Sequence, residues 1–263
     1  MLDIKIIKNY TNDGVALIKS VFSYDEICEL RASSFLVLTQ LNQITNSGYK
    51  HNPIEFSNNI NYPSPALIFW PSLASEVLDK FRRDKRIANI AYQILGENIK
   101  QLNNQIYFRL PGDADEFNWH QDIMFRTPLE NYPNIVEKNA YLQTAIVVDE
   151  MTEENGPIIF ALGSHKLGNL KLLDWNNPIK FRKLDESSGF NDKFPGCKLK
   201  FFNAKPGDVL IWSALTVHGS SANRSLLSRM YYMNGFASSE CSLPYPEYMS
   251  KGQVVAIDPL KIP

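Results

Sequence analysis

Cysteine is almost missing from this chain: Cys28, Cys197 and Cys241 are three in 263 residues, odd in number and far apart. That excludes a disulfide framework and the close pairs used for metal clips or redox chemistry, and it favours a reducing compartment. Long apolar runs are absent as well. No stretch approaches membrane-spanning length, and residues 1–12 mix Asp, Lys and polar residues with single apolar ones, unlike a secretory leader. The cytoplasm is the expected location. Neither sign of charge is in excess: 27 Lys and Arg against 28 Asp and Glu leave a net charge of −1, which gives nucleic acid or an anionic membrane no purchase. No His-Glu-x-x-His stretch supports a zinc protease. A small molecule is the expected partner, and nothing in the sequence indicates an oligomeric state.

What is present is an ordinary globular composition, 44% hydrophobic and 21% charged, with aromatics at 12%. The length suits one large domain. Val15-Ala16-Leu17-Ile18 reads as a strand. Ser23 starts a helix, with Glu26 in capping-box spacing and Ile27, Leu30, Phe35 and Leu38 as its apolar stripe. Residues 45–65, rich in Asn, Pro and Ser and holding His51, read as a loop at the rim of a cavity. Two shorter helices follow, one starting after Ser72 and one near Asp84 that stops at Gly96.

From there the pattern turns to strands: Gln105 to Leu110, the segment around His120, Tyr141 to Val148, Ile158 to Phe160, Lys198 to Phe202, Val209 to Trp212 and Ser228 to Phe236. Residues 165–195 form a long charged insertion, and the Pro-rich tail after Glu240 is expected to wrap the surface. Helices first and many short strands after predict a mainly β protein with flanking helices. Its core is expected to be an antiparallel jelly roll (a double-stranded β-helix, cupin-like) with helices packed on one side. The expected layout is a single domain over residues 1–263: a helical part over about 20–96, a jelly-roll core over about 98–236 and a tail over 237–263.

The chemistry concentrates in Phe117-Asn118-Trp119-His120-Gln121-Asp122 and, far downstream, Val217-His218-Gly219-Ser220 and Arg229. Residues two apart in an extended strand share a face, which places the His120 imidazole beside the Asp122 carboxylate. His218 would complete two nitrogens and one oxygen on one side of a metal. That set leaves positions open, as in non-haem Fe(II) oxygenases. Phe117 and Trp119 flank the pair as expected for a partly desolvated pocket. Arg229 lies in the apolar strand Leu227-Ser228-Arg229-Met230-Tyr231-Tyr232, sharing a face with Tyr231 and Met233. A charge there needs an anionic partner, and its planar fork matches a carboxylate at two points. The partner is either an internal Asp or Glu or the distal carboxylate of a small dicarboxylic cosubstrate, to which Ser220 could also donate.

These segments resemble the phytanoyl-CoA dioxygenase family of Fe(II)- and 2-oxoglutarate-dependent oxygenases. Phe117 to Asp122 resembles its aromatic-x-Trp-His-x-Asp strand. Glu153-Glu154-Asn155-Gly156-Pro157 with Gly163-Ser164-His165-Lys166 resembles its ENGP and PGSHK signatures. Pro206-Gly207-Asp208 through Trp212, then His218-Gly219-Ser220-Ser221-Ala222-Asn223-Arg224-Ser225, resembles its GD and HGS-x-x-NRS block. Arg229, eleven residues past His218, stands where the family's cosubstrate arginine falls. The resemblance covers roughly residues 98–236, and it departs at Leu162, where relatives usually carry proline; only turn stiffness should change.

The resemblance implies His120, Asp122 and His218 as iron ligands, Arg229 with Ser220 as anchors of 2-oxoglutarate, and Phe117 bordering it. The cofactors implied are Fe(II), 2-oxoglutarate and O2. Because Asp122 is present where halogenating relatives carry a small residue, hydroxylation is favoured over halogenation. His165 reads as a structural residue at a turn, Asn223 and Arg224 as organisers of the loop after His218, and His51 as a loop residue.

For substrate contacts, Gln105, Tyr107 and Arg109 share one face of their strand and Arg126 lies four past Asp122. If either arginine faces the cavity, an amino acid or other small carboxylate would fit. A cavity with no basic group besides Arg229 would count against that. Two readings stand beside the oxygenase: a jelly-roll metal protein of non-oxidative chemistry, such as a cupin-like isomerase or a hydrolase, and a non-catalytic relative.

Overall fold

A computed structural model describes residues 2–45, 54–56, 65–96, 98–113, 116–125, 140–170, 172, 190–238, 247–250 and 253–256. The chain opens with a helix that the residue pattern did not announce, α1 (Ile4–Asp13), capped by Asp3 and ended by Gly14 at φ 77°. Strand β1 (Val15–Ile18) follows, then α2 (Tyr24–Thr45). The Ser23–Glu26 capping box forms in both directions: Ser23 N–H donates to Glu26 Oε2 at 2.8 Å and Glu26 N–H to Ser23 Oγ at 3.3 Å. Strands β2 (Ile54–Phe56) and β3 (Pro65–Phe69) lead to a 3-10 turn, Pro71–Leu73.

Helix α3 (Glu76–Arg82) starts at Ser75, not after Ser72. Ser72 is buried, with its N–H donating to Asn104 Oδ1, so it serves the turn instead of a helix. Helix α4 (Lys85–Leu95) begins at Asp84 and ends at Gly96, as its pattern predicts.

The remaining strands are β4 (Ile99–Arg109), β5 (Phe117–His120), β6 (Tyr141–Val147), β7 (Ile158–Leu162), β8 (Lys198–Lys200), β9 (Val209–Ser213), β10 (His218–Ser220), β11 (Arg229–Ser238), β12 (Glu247–Ser250) and β13 (Gln253–Ala256); a one-turn helix, α5 (Phe190–Lys193), precedes β8. Seven of them form a large sheet in the order β1-β9-β6-β11-β4-β3-β2. Four form a smaller sheet, β5-β10-β7-β8, and β12 pairs with β13. Strand β4 begins well before Gln105 because it pairs with β11 along its whole length. Its polar start, Gln101, Asn103 and Asn104, hides that strand from a hydrophobic pattern.

Alternation divides the large sheet's two faces. Ile106, Phe108, Ile146, Ile211 and Tyr232 pack with Leu30, Phe81, Ile87 and Ile90 of the helices. Val147, Leu210, Trp212, Tyr231 and Met233 pack with Phe160 of the small sheet, so the second core lies between the sheets. The Pro206-Gly207-Asp208 turn ties helix to sheet. Gly207 O accepts from Val21 and Phe22 N–H, and a Cβ on Gly207 would stand 2.3 Å from Phe22 O. Asp208 accepts from Ser20 and Lys205 N–H and pairs with Lys19 at 2.8 Å. No helix among the described residues is long and apolar enough to cross a membrane.

Candidate metal centre and cosubstrate pocket

Strands β5 and β10 are antiparallel neighbours with His120 directly opposite His218, which brings the two imidazoles to 4.1 Å, centroid to centroid, with their planes tilted by 54°. Asp122 joins them, but from a different element than expected. The strand ends at His120, and Asp122 opens a 3-10 turn, Asp122–Phe125. Gln121, wholly buried between the two ligands, holds the chain there: its amide donates to Leu215 O and Gly168 O and accepts from Leu170 N–H. Asp122 Oδ1 still stands 3.7 Å from Nε2 of both histidines. The three ligand atoms lie within 4.8 Å of one another, all on buried residues. Such spacing can close on one ion held at about 2 Å per ligand.

The atoms behind the ligands fix their state. His120 Nδ1 lies 2.8 Å from Asn118 O and His218 Nδ1 2.9 Å from Thr216 O. A carbonyl only accepts, so each Nδ1 carries the hydrogen and each Nε2 lone pair is left for a metal. Burial, with His218 nearby, pushes the His120 pKa down to about 3 and keeps the ring neutral, as a ligand must be. Trp212 Nε1–H donates to Asp122 Oδ2 at 2.7 Å, turning Oδ1 towards the histidines. The donor set therefore fits a divalent iron with one-oxygen carboxylate ligation.

Arg229 is wholly buried. Its Nη1–H donates to Gly156 O, in the Asn155-Gly156-Pro157 turn, while Nε and Nη2 have no hydrogen-bond partner among the described residues. The guanidinium lies against the Tyr231 and Tyr107 rings, 4.7 and 5.2 Å from their centroids. Burial lowers its pKa, the two tyrosines oppose that, and Arg109 adds to the lowering. A buried cation with unmet donors fits an anionic ligand brought from outside, and so fits the distal carboxylate of 2-oxoglutarate.

Ser220 and Phe117 face one another across β10 and β5, and the Phe117 ring packs 4.6 Å from His120 and 6.1 Å from Tyr107. Arg109 is the register partner of Arg229. It pairs with Asp113 at 3.3 Å and reaches Ser220 Oγ at 3.4 Å, so it joins the arginine end of the pocket with its charge matched. Gln105 and Tyr107 share that inner face and are half-buried.

Trp119 points the other way. It packs in a cluster with Phe190 and Phe194, 5.6 and 6.4 Å away, and does not line the metal site. His165 bonds Thr11 O and stands over Gly14, a structural post. Asn223 donates to the carbonyls of Arg109, Leu110 and Leu227, which organises the loop after His218, and Arg224 N–H donates to Glu154 O. Arg126 and His51 lie outside the described residues.

Trp212, Gly156 and Asp113 also belong to the site, although the sequence pattern gives none of them a role there. Trp212 carried a usable signal: a buried indole N–H in an apolar strand needs an acceptor.

The profile of the phytanoyl-CoA dioxygenase family matches residues 10–231. A probable alpha-ketoglutarate-dependent hypophosphite dioxygenase of Stutzerimonas stutzeri is 26% identical over 241 residues, covering 89% of this chain and 78% of that protein. An ectoine dioxygenase of Bordetella bronchiseptica is 24% identical over 258 residues, covering 92% and 77%. Among solved structures, EctD from S. alaskensis with 2-oxoglutarate and 5-hydroxyectoine superposes with a TM-score of 0.71 at 19% identity, over 94% of this chain and 79% of that one. That likeness is one of fold.

Proposed function

The chain belongs to the phytanoyl-CoA dioxygenase family of Fe(II)- and 2-oxoglutarate-dependent oxygenases, and on that premise we propose that it hydroxylates an unactivated C–H bond of a small molecule, the whole chain acting as one catalytic unit. His120, Asp122 and His218 hold the iron. Arg229 anchors the distal carboxylate of 2-oxoglutarate, with Ser220 beside it and Phe117 along its flank. When bound, the pair supplies the oxidising chemistry: one atom of O2 enters succinate as CO2 leaves, and the other enters the substrate as hydroxyl.

The protein's own part is placement. Asn118 O and Thr216 O hold the imidazole tautomers, Trp212 holds Asp122 to one oxygen, and Gly156 O holds Arg229 towards the pocket. Arg109, paired with Asp113, positions Ser220 at the cosubstrate end. The cytoplasm remains the reading for its location, supported by Cys28 and Cys197 being free thiols.

The single observation behind this reading is a wholly buried guanidinium with two donor atoms unmet among the described residues, joined to a His-Asp-His set through the rings of Tyr107 and Phe117. A non-oxidative jelly-roll metal site has no use for that guanidinium. Under anaerobic conditions, Fe(II) and 2-oxoglutarate added to the protein should give a weak visible charge-transfer band, which His120→Ala or Asp122→Ala should remove. A wild-type protein without the band would overturn the assignment.

A further inference from the structure

The inner face of β4 carries Asn103, Gln105, Tyr107 and Arg109 in turn, and the register continues each across the large sheet. Arg109 meets Arg229, Tyr107 meets Tyr231, Gln105 meets Met233, and Asn103 meets Gly235, which neighbours Gln143 and then Trp212. The arginines thus occupy one end of the cavity. The amides occupy the other, in line with the tryptophan that bonds Asp122. Gln105 and Tyr107 sit on a strand flanked by two others, yet both are half-buried, whereas Ile106 and Phe108 on the opposite face are 0% and 1% exposed. The opening into the molecule therefore lies over Gln105 and Tyr107, between the sheets.

The amides form a chain whose polarity is fixed at one end. Gln143 Nε2 donates to the backbone carbonyl of Thr144 at 3.3 Å, and a carbonyl can only accept, so Gln143 presents Oε1 on its other side. That oxygen accepts from Tyr141 Oη at 3.0 Å and from Asn103 Nδ2 at 3.4 Å. Asn103 Nδ2 also donates to Gln105 Oε1 at 2.8 Å. Gln105 is left presenting its NH2 group, which donates to none of the described residues. Gly235 makes the arrangement possible, because a Cβ there would stand 1.9 Å from Tyr141 Oη and 2.9 Å from Asn103 Cβ.

We propose that Gln105 binds the substrate, donating a hydrogen bond from Nε2 to an uncharged acceptor oxygen such as an amide or lactam carbonyl, and that Asn103 and Gln143 are positioning residues that hold it in that sense. The acceptor is uncharged because, among the described residues, Asn103, Gln105, Gln143, Met233 and Trp212 bring no cation to this end of the cavity, and a buried carboxylate met by one neutral amide is poorly compensated. With cosubstrate held at the arginine end, the substrate occupies the amide end. The inference rests on the oxygenase reading for that division of the cavity.

The test is an NMR titration of protein labelled with 15N at the side-chain amides, carrying 2-oxoglutarate and Zn(II) in place of iron. The Gln105 signal is assigned by its loss in Gln105→Met. N,N-dimethylacetamide, which accepts and cannot donate, should shift the Gln105 NH2 signal saturably. Acetate should need a roughly tenfold higher concentration, the factor expected when one ligand makes a net hydrogen bond and the other does not.

In Asn103→Asp the relay reverses, because a carboxylate cannot donate to Gln105 Oε1. Gln105 then turns its NH2 inward, and the dimethylacetamide response should vanish. No shift in the wild type, a stronger response to acetate, or a folded Asn103→Asp protein that responds like the wild type would overturn the proposal. If that variant does not fold, the two wild-type titrations still decide. Repeating the titration without metal or cosubstrate separates this inference from the oxygenase reading, whose failure would show in the missing absorption band.

Discussion

Trp212 and Arg229 show how much of the site depends on single atoms. The Trp212 indole donates to Asp122 Oδ2, so the carboxylate keeps one oxygen for the ion. Trp212→Phe preserves a ring against Phe160 and His218 but frees Asp122 to turn. Loss of such an outer partner should weaken Fe(II) binding by about 10–100-fold, read by competition with a chelator while circular dichroism stays native. Arg229 carries the opposite kind of tension, a buried cation whose Nε and Nη2 are unmet among the described residues. Arg229→Met should leave the cosubstrate-free protein at least as thermostable as the wild type, since an uncompensated charge is gone. It should also abolish the rise in Tm that 2-oxoglutarate gives the wild type. A large fall in Tm without ligand would contradict this. Residue types carried the legible part here: few roles suit a histidine pair or an arginine in an apolar strand. Gly156 and Asp113 were not legible, because a backbone carbonyl and a loop acid gain their roles only from what they face.

Among the elements, α2 is anchored by a small ionic cluster at its start. Arg86 of α4 pairs with Glu26 at 2.6 Å and stacks over Phe22, 4.0 Å from its centroid. Arg86, then the Ser23 N–H, lowers the Glu26 pKa from 4.5 to about 2. A carboxylate held below its ordinary value stabilises the fold wherever it is ionised, and that contribution is lost as pH falls through the lowered value. Wild type should therefore exceed Glu26→Gln in Tm by a constant margin above pH 4.5. The margin should shrink below that and be nearly gone by about pH 2, as scanning calorimetry at several pH values would show. A margin independent of pH would mean the charge is idle. The capping box, the Asp84 and Gly96 boundaries and most strands could be read in advance because local chemistry sets them. Asp122 could not, since its turn depends on three hydrogen bonds that Gln121 makes to distant loops. The start of β4 was hidden for a related reason: its amides satisfy one another across the sheet and leave no apolar alternation to read.

For the whole molecule, helices before strands indicated the layering, and turn residues between short strands indicated a closed antiparallel arrangement. The strand order in each sheet was beyond reach, because pairings such as β1 with β9 join segments that share no local signal. The facing of His120 and His218 across two strands of four and three residues has a thermodynamic consequence. An ion gripped there would act as a clasp between remote parts of the polypeptide, and coordination bonds would bear the entropy of closing so long a loop. Iron loading and the coherence of the smaller sheet should then be linked, so that withholding the metal is expected to loosen the wall beside the site.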